Sequence, residues 1–401
     1  MSPKVTFSRL LKAAFAAVLA VTVTSATSYA EDLLIGVPVP LTGGLSQAGR
    51  LVLGGVELAA SEINRNGGIL GRKVKLVVDD TKSEANASAM VATKMVTQDK
   101  VYAFVGGFGS TADYALLQSI KRYQPIFIHA ASQSVKLEKG FGDQPWYFHV
   151  YIWDYHRQKG VVKFLEGLSP KPKTVAIAYE DGLFGTDAAR YAKDFLEPAG
   201  FKIVMQEPFK TGTADFSPIL NRIKNLDPDV TYVIGYAGDG IQINRQVKEL
   251  AVNPKFMLYT ESGAKREDFG EAGVNAAFIQ DYAPEQRTPR NADFVKLMQK
   301  ERPDLLPARS SAALGYTGLM TLKESIEAAK SFDRDAVLRE LSTRTFDTVF
   351  GSVKYGPSPG GAKHQLLSED NEIVVQFRAN NGVDVVWPQA AATGKLVYPL
   401  R

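Results

Sequence analysis

The stretch VLGGVELAASEINRNGGILGRKVKLVV, residues 52–78, decides the fold. Val52, Val56, Ala59 and Ile63 recur at the 4-3-4 spacing of one helix face, so the segment opens as an amphipathic helix. Asn66-Gly67-Gly68 ends that helix as a left-handed cap followed by a turn, and 74–78 then reads as a β-branched strand. With another apolar strand ahead of it at 33–37, the unit is strand–helix–strand. Further strands at 101–105 and 126–128 continue the pattern. Parallel strands joined by helices are buried on both faces.

The alternation restarts after a polar aromatic stretch at 146–155. Strands are expected at 175–179, 203–206, 230–234 and 256–259, and Phe216, Ile219, Leu220 and Ile223 mark a helix face between them. The fold class is therefore α/β, with two doubly wound parallel-sheet lobes. After 278–282 come helical stretches at 291–301 and 310–330, then short strands around 351–355, 372–378 and 383–387. These are too few strands for a third domain. The chain is expected to return to the first lobe after about residue 280 and to cross again near 356. Lobe 1 would then hold 31–149 plus 282–355 and lobe 2 would hold 150–281 plus 356–401, with a three-segment hinge near 149–152, 279–283 and 355–358.

Composition supports two domains with ordinary cores: 401 residues, 45% hydrophobic, 22% charged, 34 Gly and 20 Pro. No cysteine is present, which removes disulfides, thiolate zinc sites, iron–sulfur clusters and cysteine nucleophiles together. His129, His149, His156 and His364 show no ligand spacing, so neither metal nor cofactor is expected.

Lys4, Arg9 and Lys12 precede an apolar run at 13–23, and Ser28-Tyr29-Ala30 offers small residues where a signal peptidase reads. Residues 1–30 are expected to be an export signal cleaved near Ala30, the apolar run being shorter than the roughly 20 residues that span a bilayer. Losing three basic and no acidic residues takes the formal charge from +4 to +1. Such a chain has no sequence-wide electrostatic case for nucleic acid or anionic lipid. No cysteine at the cleavage point offers a lipid anchor, so a periplasmic monomer is expected.

Open α/β sheets bind ligands at the carboxyl ends of their strands. The first half places Pro40-Leu41-Thr42-Gly43-Gly44, Gly106-Gly107-Phe108-Gly109-Ser110-Thr111 and Ala130-Ala131-Ser132-Gln133 there. Two of these loops carry hydroxyls beside helix starts, where free N–H groups and the helix dipole favour a carboxylate. Ser110, Thr111 and Ser132 read equally as plain N-caps. The run GGFGST lacks both G-x-G-x-x-G and the lysine of a P-loop, which argues against nucleotide. The second half supplies aromatics and carboxylates instead: Tyr179-Glu180-Asp181-Gly182-Leu183-Phe184-Gly185, Gly235-Tyr236-Ala237-Gly238-Asp239 and Tyr259-Thr260-Glu261-Ser262. A carboxylate facing an anion-binding helix terminus across a cleft suits a zwitterion. No G-x-S-x-G elbow, metal motif or Ser/His/Asp grouping emerges, which leaves binding better supported than catalysis.

The order of IGVPVPLTG (35–43), GGVELAASEINRNGGILGRKVKLVVDD (54–80), AFVGGFGSTA (103–112), YEDGLFG (179–185), DPDVTYVIGY (227–236) and LYTESG (258–263) resembles the type I periplasmic solute-binding proteins of ABC importers, over nearly the whole chain after residue 30. The resemblance is to the branched-chain amino acid group. It implies a two-lobed, hinged clamp without catalytic activity that captures a small solute and delivers it to a membrane permease. It also implies roles by position. Ser110 and Thr111 fall at the family's helix N-terminus, Ala130, Ala131 and Ser132 at its carboxylate-holding loop, Glu261 at the acidic residue that receives the α-ammonium, and Phe184 and Tyr236 at two aromatic positions of the second lobe.

Several positions depart from the family pattern. Ala48 and Phe184 stand where an aromatic and a tyrosine are common, and the cysteine pair of many members is replaced by Thr81–Lys82 and Phe108–Gly109. Phe108, Tyr114, Tyr151, Trp153 and Tyr155 lie near the loops and the crossover, where they suit a planar acid or simply pack the core and hinge. The leading solute is a branched-chain or other hydrophobic amino acid. An aromatic or other organic carboxylate is second, and a short amide or urea third. A ligand-sensing receptor component and an exported hydrolase are the alternatives from other classes.

Overall fold

A computed structural model of the protein describes residues 31–260, 266–306 and 309–401. The expected export segment and Glu261 lie outside these residues. Residues 32–401 form one compact unit.

The decisive stretch folds as its spacing requires. Strand β1 (Leu33–Val39) leads into helix α1 (Ser46–Arg65), whose Val52, Val56, Ala59 and Ile63 are buried, and then into β2 (Val74–Asp80). The polar residues between them have structural duties. Asn64 places its side-chain amide where a neighbouring strand would be, donating to the Val74 carbonyl and accepting from the Val74 N–H, each at 2.8 Å. Ile69 and Arg72 exchange backbone hydrogen bonds at 2.8 and 2.9 Å around Leu70-Gly71, both at positive φ (47° and 83°). This is the geometry of a I′ turn, and glycine supplies it without steric cost.

The first sheet adds α2 (Ala85–Thr97), β3 (Ala103–Gly106), α3 (Ser110–Ile120), β4 (Ile126–His129), α4 (Val135–Phe141) and β5 (Tyr147–His149). Its five strands run parallel in the order β2-β1-β3-β4-β5. Successive side chains feed opposite faces: Ala103 and Val105 pack with Ile126 and Ile128 in one core, Phe104 and Phe127 in another. Both faces are thus covered, as in doubly wound sheets.

The second sheet is built from α5 (Asp154–Glu166), β6 (Thr174–Glu180), α6 (Leu183–Leu196), β7 (Lys202–Phe209), α7 (Ser217–Leu226), β8 (Val230–Ile234), α8 (Ala237–Glu249), β9 (Met257–Tyr259) and β10 (Ala277–Gln280). The chain then supplies α9 (Asn291–Glu301), α10 (Arg309–Ala329) and α11 (Arg334–Thr343), whose buried residues join the first lobe's core. A separate hairpin, β11 (Thr345–Thr348) with β12 (Gly351–Lys354), follows. Finally β13 (Ile373–Phe377) and β14 (Val383–Trp387) complete the second sheet as antiparallel strands, in the order β14-β13-β10-β9-β8-β6-β7.

The chain therefore passes between the lobes after β5, after β10 and between β12 and β13. The first and third passages run side by side: His149 bridges Gln365 in parallel, and Leu366 and Leu367 donate to the carbonyls of His149 and Val150.

Candidate functional site

The strand-end loops are held in place by carboxylates, one half-buried and two buried. Asp80 closes β2 and accepts from the N–H groups of Leu41 (2.7 Å), Lys82 (2.7 Å) and Thr42 (3.2 Å) and from the Thr42 hydroxyl (2.6 Å). Partial burial works to raise its pKa, but these donors hold it down at about 2. Asp80 is therefore a clamp on the first loop. Glu180 plays the same part in the second lobe: buried, it accepts from Gly182 N (2.6 Å) and Gly185 N (2.8 Å) and so fixes the start of α6, which carries Phe184. Asp239 accepts from Gly212 N (2.9 Å) and Tyr236 N (3.3 Å), holding the start of α8.

In the first lobe, Gly107 has φ +89°, and a Cβ there would lie 2.7 Å from the His129 ring. Only glycine lets the loop pass so close. Gly109 precedes α3 and offers no side-chain cap, so the first-turn N–H groups, beginning at Ser110, lack intrahelical partners. Ser110 Oγ accepts from Ser134 N at 3.3 Å, which leaves its own proton to donate. Ser132 has the opposite polarity. Its hydroxyl donates to Asp113 Oδ2 at 2.7 Å, the same oxygen that meets His129 Nε2 at 2.8 Å, while His129 Nδ1 meets the Tyr147 hydroxyl at 2.6 Å. Ser132 sits at φ +149°, a sparsely populated conformation, with its carbonyl held by His149 Nε2 at 2.8 Å.

A small cavity of about 20 Å³ lies where the two sets of loops meet. The first lobe lines it with Phe108, Gly109, Ser110, Ser132 and Gln133, the second with Phe184 and Tyr236, and the first passage with Tyr151. Tyr236 touches both sides, its ring centroid 5.9 Å from that of Phe108 and 5.4 Å from that of Phe184. Outside the cavity, Ser134 Oγ donates to Asp187 Oδ2 at 2.5 Å and Leu183 N donates to Thr111 Oγ at 3.2 Å, both across the lobes.

Of the residues picked out by sequence, Ser110, Ser132, Phe184 and Tyr236 come together on this cavity. Thr111 faces the adjoining depression, beside Gly44, Glu180 and Thr211. Ala130 and Ala131 are buried in the first lobe's core and do not line the cavity. Glu261 lies outside the described residues. Sequence reasoning left Gln133 out of the site and named Phe108 and Tyr151 only among aromatics that suit a planar acid or pack the core and hinge; both line the cavity. Gln133 follows Ser132 in the same loop and is 5% exposed, and its Oε1 has no partner among the described residues. A buried acceptor left unpaired costs about 1–3 kcal/mol, which a ligand can return. No three His, Asp or Glu side chains among the described residues are grouped to hold a metal.

The lining combines hydrogen-bond donors at the start of α3, a hydroxyl bonded to a buried carboxylate, and aromatic side chains from both lobes. A family model described as periplasmic binding protein matches residues 33–368. The chain belongs to the periplasmic binding protein family. It is 25% identical over 347 residues to Leu/Ile/Val-binding protein homolog 7 of Brucella melitensis, covering 82% of this chain and 86% of that protein. To Leu/Ile/Val-binding protein BraC3 of Rhizobium johnstonii it is 27% identical over 328 residues, covering 81% and 88%. These relatives place this periplasmic binding protein beside the branched-chain amino acid group, as the sequence motifs implied.

Solved structures share its fold. The leucine binding protein LivK of Thermotoga maritima superposes with a TM-score of 0.77 at 24% identity, covering 88% of this chain and 97% of that one. LivJ of Streptococcus pneumoniae, in complex with isoleucine, gives 0.75 at 24%, covering 89% and 100%. A solute binding protein of R. palustris, in complex with benzoate, gives 0.77 at 16%, covering 92% and 97%. No helix among the described residues is long and apolar enough to cross a membrane.

Proposed function

We propose that this protein is the periplasmic solute-binding component of an ABC importer and captures a branched-chain or other hydrophobic amino acid. The carrying observation is the pairing of Ser110, at the uncapped N-terminus of α3, with aromatic walls contributed by both lobes around one small cavity. The carboxylate meets the first-turn N–H groups and Ser110, with the Ala130–Ser132 loop beside it. The apolar body lies against Phe184 and Tyr236, and Glu261 receives the ammonium. Residues 1–30 direct export and are removed near Ala30. The chain then works as a monomer, without catalysis, and hands its solute to a membrane permease.

The moving bodies are 31–149 with 282 to about 367, and 150–281 with about 368–401, the third crossing lying past the expected 356 because Ala362, Leu366 and Leu367 pack in the first body's cores. The third connecting segment runs through Leu366 and Leu367, which are buried with the first body, to β13. Contacts to both lobes favour the closed state only through differential affinity, and the cavity's two-lobed lining supplies that difference.

A second reading, an aromatic acid, is favoured by the four rings of Phe108, Tyr151, Phe184 and Tyr236 around the cavity. A thermal-shift screen of hydrophobic amino acids and aromatic acids separates the readings, since a ligand at 100 times its Kd adds about 2.7 kcal/mol of stability. Stabilisation by leucine, isoleucine or valine supports the first reading, and stabilisation by benzoates alone supports the second. No shift with either class counts against both.

A further inference from the structure

We propose that the passages between the lobes share one proton, held by Asp281 and Glu372, and that the protein takes it up as it closes on its solute. The assignment rests on the hinged-clamp reading above and deepens it. Its basis is an excess of buried negative charge. Tyr151 follows β5, Asp281 follows β10 and Glu372 precedes β13, one on each passage, and Arg157 of α5 lies against all three. All four are buried, so two carboxylates face one guanidinium away from water. The groups packed around them supply no second cation. Tyr151 accepts from Arg157 and donates to Asp281, Ser310 of α10 donates to Asp281 Oδ1 at 2.9 Å, and Tyr232 of β8 donates to Gln158. Glu369, beside Glu372, is itself an anion and engages Lys159 at 3.4 Å and His156 at 3.5 Å. Asp154, at the start of α5, adds another buried acid within the field of Arg157.

An uncompensated anion in such a place is costly, and the pair relieves the cost by keeping one proton. Asp281 Oδ2 and Glu372 Oε1 have no partner among the described residues, which leaves two oxygens to carry it. Burial raises the pKa of both acids, that of Glu372 to about 8. The link to solute runs through Tyr151, whose ring lines the cavity while its hydroxyl belongs to the cluster. In the arrangement described, Ser134 and Asp187 tie the lobes across the cleft and the cluster is shut off from water. Parting the lobes shifts the passages against one another and lets water reach the acids, which lowers their pKa and frees the proton. Closure reverses this. The closed state has the higher pKa, so it is favoured at low pH, and solute affinity falls as pH rises toward 8.

The test is calorimetry on the full chain, titrated with leucine and with benzoate at pH 7.5 in phosphate and in Tris. The two buffers differ in ionisation heat, so a proton taken up on binding appears as a difference between them. Wild type is expected to take up at least about 0.3 proton per solute bound, and its affinity should fall at least about threefold from pH 6 to pH 8.5. Glu372→Gln and Asp281→Asn each leave one carboxylate per guanidinium and keep the shape of the protonated acid. Both should still bind, with the uptake and the pH dependence at least about halved, and thermal melts confirm that each variant folds. Binding without uptake in wild type overturns the proton linkage alone and leaves the clamp standing, and this comparison needs no variant. Uptake that persists undiminished in both folded variants overturns it too, since the proton then sits elsewhere. If wild type binds neither probe, the clamp reading falls and the linkage with it.

Discussion

Arg157 donates to the phenolic oxygen of Tyr151 at 2.5 Å, and that bond ties a wall of the cavity to the three passages between the lobes. The same guanidinium donates to Glu372 Oε2 at 2.7 Å and lies 3.8 Å from Asp281 Oδ1. Tyr151, Asp281 and Glu372 each come from a different passage, and all are buried with Arg157. A single cation on α5 therefore joins the three segments that connect the lobes.

Removing that cation should be costly. Arg157→Met leaves Glu372 Oε2 and the Tyr151 hydroxyl oxygen buried without their donor, and losing a buried hydrogen bond from a charged group costs about 1.5–3 kcal/mol. Urea unfolding measures it. A variant within about 1 kcal/mol of wild type would show that the cluster contributes little to folding.

Glu372 should give stability a pH dependence of known sign. Burial pushes its pKa from 4.5 up to about 8, with Arg157 pulling down and Asp281 pushing up. Because the folded pKa lies above the unfolded one, the folded state holds a proton that the unfolded chain has released. Stability from this group is then full below about pH 4.5, falls by roughly 1.4 kcal/mol per pH unit between 4.5 and 8, and levels off above. Glu372→Gln removes that slope. Chemical denaturation of both proteins from pH 5 to 9 checks it, and parallel curves would contradict it.

The fold was legible where burial on both faces writes itself into composition. Val230–Ile234 is read at its observed bounds because it is an uninterrupted, fully buried run of strand formers, and Val383–Trp387 because its strand formers, broken only by Asp384, lie between Gly382 and Pro388. Tyr147–His149 was read as part of a polar aromatic stretch, since three residues are too few to show a period. Helix Arg334–Thr343 was passed over, although Asp333 caps it through Ala336 N and Val337, Leu338 and Leu341 spell its buried face. In the site, loop positions after strands led to Ser110, Ser132, Phe184 and Tyr236. The hydroxyl directions could not be read, because Asp113 and His129 meet Ser132 only through the tertiary fold. Tyr151 was one of five aromatics between which the sequence did not choose, because a connecting segment carries no period to place its ring.

The cross-lobe bond from Ser134 to Asp187 should act on affinity without touching solute. Asp187→Ala removes the acceptor but leaves Ser134 free to cap α4 through Lys136 N. Losing a bond that bridges the lobes should disfavour closure and weaken solute binding about three- to tenfold, mainly through faster release. Stopped-flow release rates measure it. An unchanged rate would remove this bond from closure.

Glu261 should read the solute's positive charge. Glu261→Gln keeps the shape but loses a charge-assisted hydrogen bond, at a cost of about 1.5–3 kcal/mol, or roughly ten- to a hundredfold in affinity for an amino acid. Ser110→Ala should cost less. For an aromatic acid the Glu261→Gln effect vanishes or reverses. Calorimetry decides, and equal amino acid affinities for wild type and variant would take Glu261 out of the site.

Capture between two lobes is the central claim, and calorimetric titration of wild type, Ser110→Ala and Tyr236→Ala with the best solute from the thermal screen tests it most directly. The account predicts one site per chain in the wild type. It also predicts weaker binding on removal of either side chain, since each stands on a different lobe at the same cavity. Binding that is unchanged by both substitutions would place the solute elsewhere and contradict the account.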